Sequence, residues 1–235
     1  MRATFSSTLL AALAAVPFTT AQVLNTTDSA VLPITATAYG TALTVVIEIG
    51  GLPFNLLPDT GSADLWVVHP DWTCHEKSET AILGNEVSRQ QCAYGNGTYT
   101  PSSTFKSEPN AWMGIHFGAG DVLGTVGRDT VNIGSIEILQ QEFGIINATN
   151  GPADNYSEGI MGLCYPILSQ THPSNFTPET PFELLTNTLP SMTTILSLIE
   201  SYEQDQTTGD KPTYNQFFTF ALERTPLDQE TAFGE

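Results

Sequence analysis

A chain of 235 residues, 40% of them hydrophobic and with mean hydropathy near zero, holds enough apolar material for one large domain or two small ones. Its 25 acidic residues against 7 Lys and Arg give a formal charge of -18 at pH 7, which disfavours nucleic acid and anionic membrane surfaces as partners. Once the carboxylates are protonated, only those 7 cations and 4 histidines carry charge, so the repulsion behind acid unfolding stays limited and the composition suits low pH.

Residues 1–21 read as a signal peptide: Arg2 supplies the charge, Leu9 to Phe18 the apolar region, and Thr19-Thr20-Ala21 the small-residue cleavage site. That run is too short to span a bilayer, as is every later apolar segment, so a secreted, soluble product is expected. Sequons at Asn25, Asn96, Asn147, Asn155 and Asn175 agree with a secretory route and are candidate glycosylation sites. Residues 22–36 form a short polar lead. From Ala36 the chain alternates and turns apolar, and Thr44 to Ile49 reads as a β-branched strand ending at Gly50-Gly51. Pro53 to Leu57 reads as the next strand and delivers Asp59 to the apex of a tight turn, Asp59-Thr60-Gly61-Ser62. Gly61 there permits close backbone approach and dihedrals that a Cβ would forbid. The hydroxyls of Thr60 and Ser62 lie within reach of the carboxylate as donors. A second apolar run, Leu65 to Val68, leaves the turn with Trp66 inside it.

Residues 69–110 are rich in His, Asp, Asn, Gly, Ser and Pro and are expected to be mostly loop. Three cysteines fit an oxidising compartment with one disulfide and one thiol. Cys74 and Cys92 flank the polar loop, and closing it would stabilise the fold by roughly 3 kcal/mol in the chain-entropy view. Cys164 is expected to be a buried free thiol. His69, Cys74 and His75 match no zinc spacing, so no metal is expected. Trp112 to Gly124 reads as a hairpin with Gly118-Ala119-Gly120 at its tip, and strand alternation turns His116 away from Phe117, toward solvent. Short strands follow over 128–134, 136–138 and 141–146, which argues an all-β lobe. Two surface helices are expected, over Pro181 to Leu189 with Leu184, Leu185 and Leu189 on one face, and over Thr193 to Tyr202. Phe217 to Leu222 reads as a further strand.

Asp59-Thr60-Gly61-Ser62-Ala63-Asp64-Leu65-Trp66-Val67 resembles the active-site signature of the pepsin-like aspartic proteases, nine positions in register. Phe117-Gly118-Ala119-Gly120-Asp121 is similar to the family's flap, with Phe117 at the place of its tyrosine, and Glu158 to Pro166 resembles the segment that pins the aspartate loop. The resemblance implies an all-β fold, the amino-terminal lobe of a bilobed acid protease over residues 37–235, with one or two short surface helices. It implies that Asp59 is catalytic, that Thr60, Gly61 and Ser62 support it, and that Trp66, Phe117, Gly118, Ala119 and Asp121 line the substrate groove. No cofactor is implied, and the expected partners are a protein or peptide substrate and a second lobe of the same polypeptide. The family's tyrosine hydroxyl bonds the Trp matched by Trp66, a bond that Phe117 cannot make.

The family's chemistry needs two carboxylates sharing a proton, and no other Asp-Thr-Gly or Asp-Ser-Gly occurs in these residues. Nothing in residues 22–36 resembles the family's basic prosegment either. The expectation is a truncated chain carrying one of the two aspartates of a secreted acid endopeptidase. Pairing of two copies of Asp59 in a homodimer and a non-catalytic secreted binding or inhibitor module built on the same lobe are the alternatives.

Overall fold

A computed structural model describes residues 22–23, 31–37, 40–151, 153–186 and 188–189. The expected signal peptide, the Asn25 sequon, the helix over 193–202 and the strand over 217–222 lie outside these residues. Eleven strands join in one sheet: β1 (Gln22–Val23), β2 (Ile34–Thr37), β3 (Ala42–Ile49), β4 (Leu52–Asp59), β5 (Leu65–His75), β6 (Glu86–Val87), β7 (Lys106–Phe117), β8 (Gly120–Ile133), β9 (Ile136–Thr149), β10 (Gly159–Gly162) and β11 (Thr171–Pro173). The main path runs β1-β9-β5-β10-β4-β3-β8-β7-β11, and β8 also pairs with β9, so β9, β5, β10, β4, β3 and β8 close into a ring. Among the described residues no helix is long and apolar enough to cross a membrane.

The ring closes because its strands are apolar on one face or both. Leu65 and Val67 of β5 enter one core cluster, with Val45, Ile47, Phe54, Leu56, Phe143 and Met161, while Trp66 and Val68 enter a second, with Met113, Ile115, Val122 and Ile146. Alternation along a strand puts successive residues on opposite faces, so a strand apolar at every position is buried on both sides. Five side chains from Leu65 to Val68 and Phe143 are at most 3% exposed, which places the strand after the aspartate turn deep between the two clusters.

Several expectations are corrected. Residues 69–110 are mostly loop, as expected, but not throughout: β5 continues to His75, β6 spans Glu86–Val87 and β7 begins at Lys106. Polar residues and Pro70 mask the strand in the sequence, but a register shift between Val68 and Thr73 lets β5 resume pairing with β9 and bury Trp72 and Cys74. The strands expected at 128–134, 136–138 and 141–146 are parts of β8 and β9, with Gln140 at φ 56° absorbing the irregularity inside β9. The polar lead contains β1 and the start of β2, so paired strands begin before residue 37. Over 181–189 the structure has a 3-10 turn, Pro181–Leu185, rather than a longer helix, and Leu184 is buried while Leu185 is 53% exposed. Cys74 and Cys92 form a disulfide, and Cys164 is free but only half-buried.

Candidate active site

Asp59 is the last residue of β4 and is half-buried. One carboxylate oxygen, Oδ1, accepts from the Gly61 amide at 2.9 Å, and Oδ2 accepts from the Ser62 hydroxyl at 2.6 Å. Thr60 is exposed and no side-chain bond of its own to the carboxylate is present among the described contacts. Gly61 does not adopt a positive φ, contrary to expectation. Its value lies in room: a Cβ there would press on Asp59 Oδ1 at 3.3 Å.

Strand β10 holds this turn from below. It runs parallel to β4, with Gly162 opposite Asp59, and antiparallel to β5, with Ile160 opposite Trp66. Past its end, the Leu163 amide donates to Asp59 O at 2.8 Å and the Cys164 amide to Ser62 O at 2.9 Å. The Gly162 amide donates to Asp64 O at 3.1 Å. Glycine is required at 162, since a Cβ would collide with the backbone of Ala63 and Asp64. Three backbone carbonyls of the turn, those of Asp59, Ser62 and Asp64, are thus tied to the end of β10 and the two residues after it, which fixes the acid's direction without using its carboxylate oxygens.

A second acid, Asp64, is buried at the far end of the turn. Its Oδ1 accepts from the Ser169 hydroxyl at 2.7 Å and its Oδ2 from the Gln170 amide at 2.8 Å. Burial pushes its carboxyl above the ordinary range, against the pull of these two donors. The expected signature contains Asp64, but nothing in the sequence points to Ser169 or Gln170 as its partners.

The flap hairpin is present, with β7 and β8 joined at Gly118 and Ala119 and Phe117 paired with Gly120. Gly118 and Ala119 are exposed. Trp66 does not line an open groove: it is 2% exposed and lies beneath Phe117, with ring centroids 6.4 Å apart. Its Nε1 is buried with no hydrogen-bond partner among the described residues, as the Phe at 117 implies. Asp121 is likewise buried, and it faces the protein rather than the groove. Its Oδ2 accepts from Asn150 Nδ2 at 2.9 Å, its amide donates to Asn150 Oδ1 at 2.6 Å, and its Oδ1 lies 2.5 Å from His116 Nδ1. His116 is therefore not a solvent-facing residue. Cross-strand pairing of 116 with 121 brings the two side chains together, a relation that alternation within one strand does not reveal.

The described sequons, Asn96, Asn147, Asn155 and Asn175, all have exposed asparagines, and Asn96 and Asn155 border one cleft of about 290 Å³. Among the described residues no three His, Cys, Asp or Glu side chains converge on a point that could hold a metal.

The family model described as eukaryotic aspartyl protease matches residues 42–207. A probable aspartic-type endopeptidase of Aspergillus fumigatus is 30% identical over 139 residues, 59% of this chain and 30% of the relative. Embryonic pepsinogen of Gallus gallus is 36% identical over 135 residues, 56% of this chain and 30% of the relative. A crystal structure of an aspartic proteinase from Irpex lacteus aligns with a TM-score of 0.45 at 22% identity, over 67% of this chain and 36% of that one. The chain thus spans about 30% of the length of the curated relatives it matches. With the signature turn built around Asp59 and the family model covering most of the sequence, this chain belongs to the eukaryotic aspartyl protease family.

Proposed function

We propose that this chain is the part of a secreted acid endopeptidase that carries one catalytic aspartate, Asp59, one flap and half of a substrate cleft. The observation that carries the reading is the geometry at Asp59: a half-buried carboxylate whose two oxygens accept from Gly61 and Ser62, on a turn pinned by Leu163 and Cys164. Such an acid is preorganised and still open to solvent on one side. In the reaction, one carboxylate of a pair removes a proton from a water molecule while its protonated partner donates to the peptide carbonyl. Asp59 supplies one of the pair, and Ser62 and Gly61 orient its oxygens. The second carboxylate comes from a second lobe or a second copy of the chain. Phe117, Gly118 and Ala119 cover the bound peptide.

One observation favours the alternative, a secreted binding or inhibitor module. Phe117 leaves Trp66 Nε1 without the partner that a flap tyrosine would give. The two readings separate in a calorimetric titration with a statine-type transition-state mimic, whose hydroxyl sits between the two carboxylates. Binding that strengthens toward acid pH and is lost in Asp59→Asn supports the protease reading. Binding unchanged by Asp59→Asn overturns it in favour of the module.

A further inference from the structure

The flap and the Asp59 turn are joined by one short segment. Residues 169–173 lie between them: the Ser169 hydroxyl and the Gln170 amide donate to the two oxygens of buried Asp64, which closes the aspartate turn. From the same segment, Gln170 Oε1 accepts from the His116 amide at 2.9 Å and Gln170 O accepts from the Gly114 amide at 3.2 Å. Strand β11 then continues the grip by pairing Thr171 with Met113 and His172 with Trp112. Gln170 is the residue at which these two sets of bonds meet, since its amide faces Asp64 while its carbonyl and side chain face the flap.

The flap needs such a hold. At its tip Phe117 offers Trp66 only ring contact, and Trp66 Nε1 stays unpaired. One residue back, at the base of the tip, the bonds are dense. His116 Nδ1 meets Asp121 Oδ1 across the strands, Asn150 holds Asp121 through both its side chain and its amide, and the His116 amide goes to Gln170. The Phe182 ring closes against His116 from outside, with centroids 5.5 Å apart.

We propose that Gln170 is a positioning residue that sets the height of the flap relative to Asp59, with the His116–Asp121–Asn150 cluster as its rigid base, so that the flap is latched at its base instead of its tip. The inference deepens the protease reading and rests on it only for the consequence in catalysis. The bond itself is read from the fold.

The test compares Gln170→Ala, Gln170→Leu and Gln170→Glu with the wild-type chain by amide hydrogen exchange with mass spectrometry. Gln170→Leu keeps the side-chain volume and removes the acceptor, so it stands in if the alanine variant unfolds. Gln170→Glu keeps an oxygen at the place where the His116 amide donates. Loss of one such bond is expected to speed exchange in the 114–121 segment about five- to tenfold, with β3 and β4 unchanged, in the Ala and Leu variants. Protection in Gln170→Glu is expected to return to within about twofold of wild type. Flap exchange at the wild-type rate in Gln170→Leu, or equal acceleration in Glu and Leu variants, overturns the proposal. Where the chain cleaves peptide, Gln170→Leu is expected to raise KM about five- to tenfold with kcat within about twofold. Cleavage that survives Asp59→Asn in a chain that shows the exchange pattern contradicts the protease reading and leaves the latch standing.

Discussion

At Phe117 a single missing oxygen has a consequence that the structure makes visible. The ring still covers Trp66, but the indole N–H beneath it is buried and unpaired, and an unpaired buried donor is costly. Restoring the hydroxyl with Phe117→Tyr is expected to stabilise the fold by about 1 kcal/mol, read as a shift in the denaturant midpoint at constant slope. A midpoint unchanged or lowered would show that the hydroxyl cannot reach Trp66 Nε1. The contacts of the signature turn were legible because Asp59, Gly61 and Ser62 act on one another within four positions of sequence, and their roles because nine residues in register resemble the family's signature. Asp121 and Trp66 were read as groove residues and are buried instead, since pairing across strands, rather than neighbours in sequence, decides which way they face. Gln170 carried no signal, because its partner His116 is 54 positions away.

Among the elements, strand β10 and the extended part of β5 do the most to hold the site. Strand β10, Gly159 to Gly162, lies between β4 and β5, with Ile160 and Met161 paired to both, and this explains why an apolar run with glycine at each end is needed there. The run itself was readable, as were β3, β4 and the flap hairpin, all of which alternate cleanly between turns. The far half of β5 was not readable, because His69-Pro70-Asp71 has the composition of a turn. What secures that half is the disulfide from Cys74 to Cys92, 18 residues apart, together with Arg89 stacked 5.0 Å over the Trp72 ring. Replacing the pair by Cys74→Ala and Cys92→Ala is expected to cost roughly 3 kcal/mol in chemical denaturation, through the loosened unfolded chain. A cost below about 1 kcal/mol would show that the strand pairing with β9 suffices without the bridge.

For the whole molecule, the buried acids point to stability at low pH. Glu142 is 8% exposed beside Arg128, which lies 3.0 Å from it and 2.8 Å from Glu108. Burial pushes its carboxyl up to about 7, against the attraction of Arg128, so the fold prefers the protonated form. The stability this gives is complete below the unfolded value of 4.5 and is lost as pH rises through about 7. Asp64, raised by burial, acts in the same sense. Asp129 acts in the opposite sense: burial would raise it, but donors from Thr104, Tyr99, Ser102 and the Thr130 amide outweigh that and hold it low. Its contribution is present above 3.8 and lost as pH falls through its lower folded value. Glu142 is therefore expected to weaken the fold from about pH 4.5 toward neutrality, by at most about 1.4 kcal/mol per pH unit. Glu142→Gln is expected to flatten that decline in denaturation curves taken from pH 4 to 8, and an unchanged slope would contradict the assignment. The most direct test of the central claim, that Asp59 is a working half of a proteolytic pair, is to incubate the purified chain and its Asp59→Asn variant with an unfolded protein from pH 3 to 7 and identify the fragments by mass spectrometry. The account predicts that any fragments increase toward acid pH with wild type and are absent with Asp59→Asn. Equal cleavage by both proteins would contradict it.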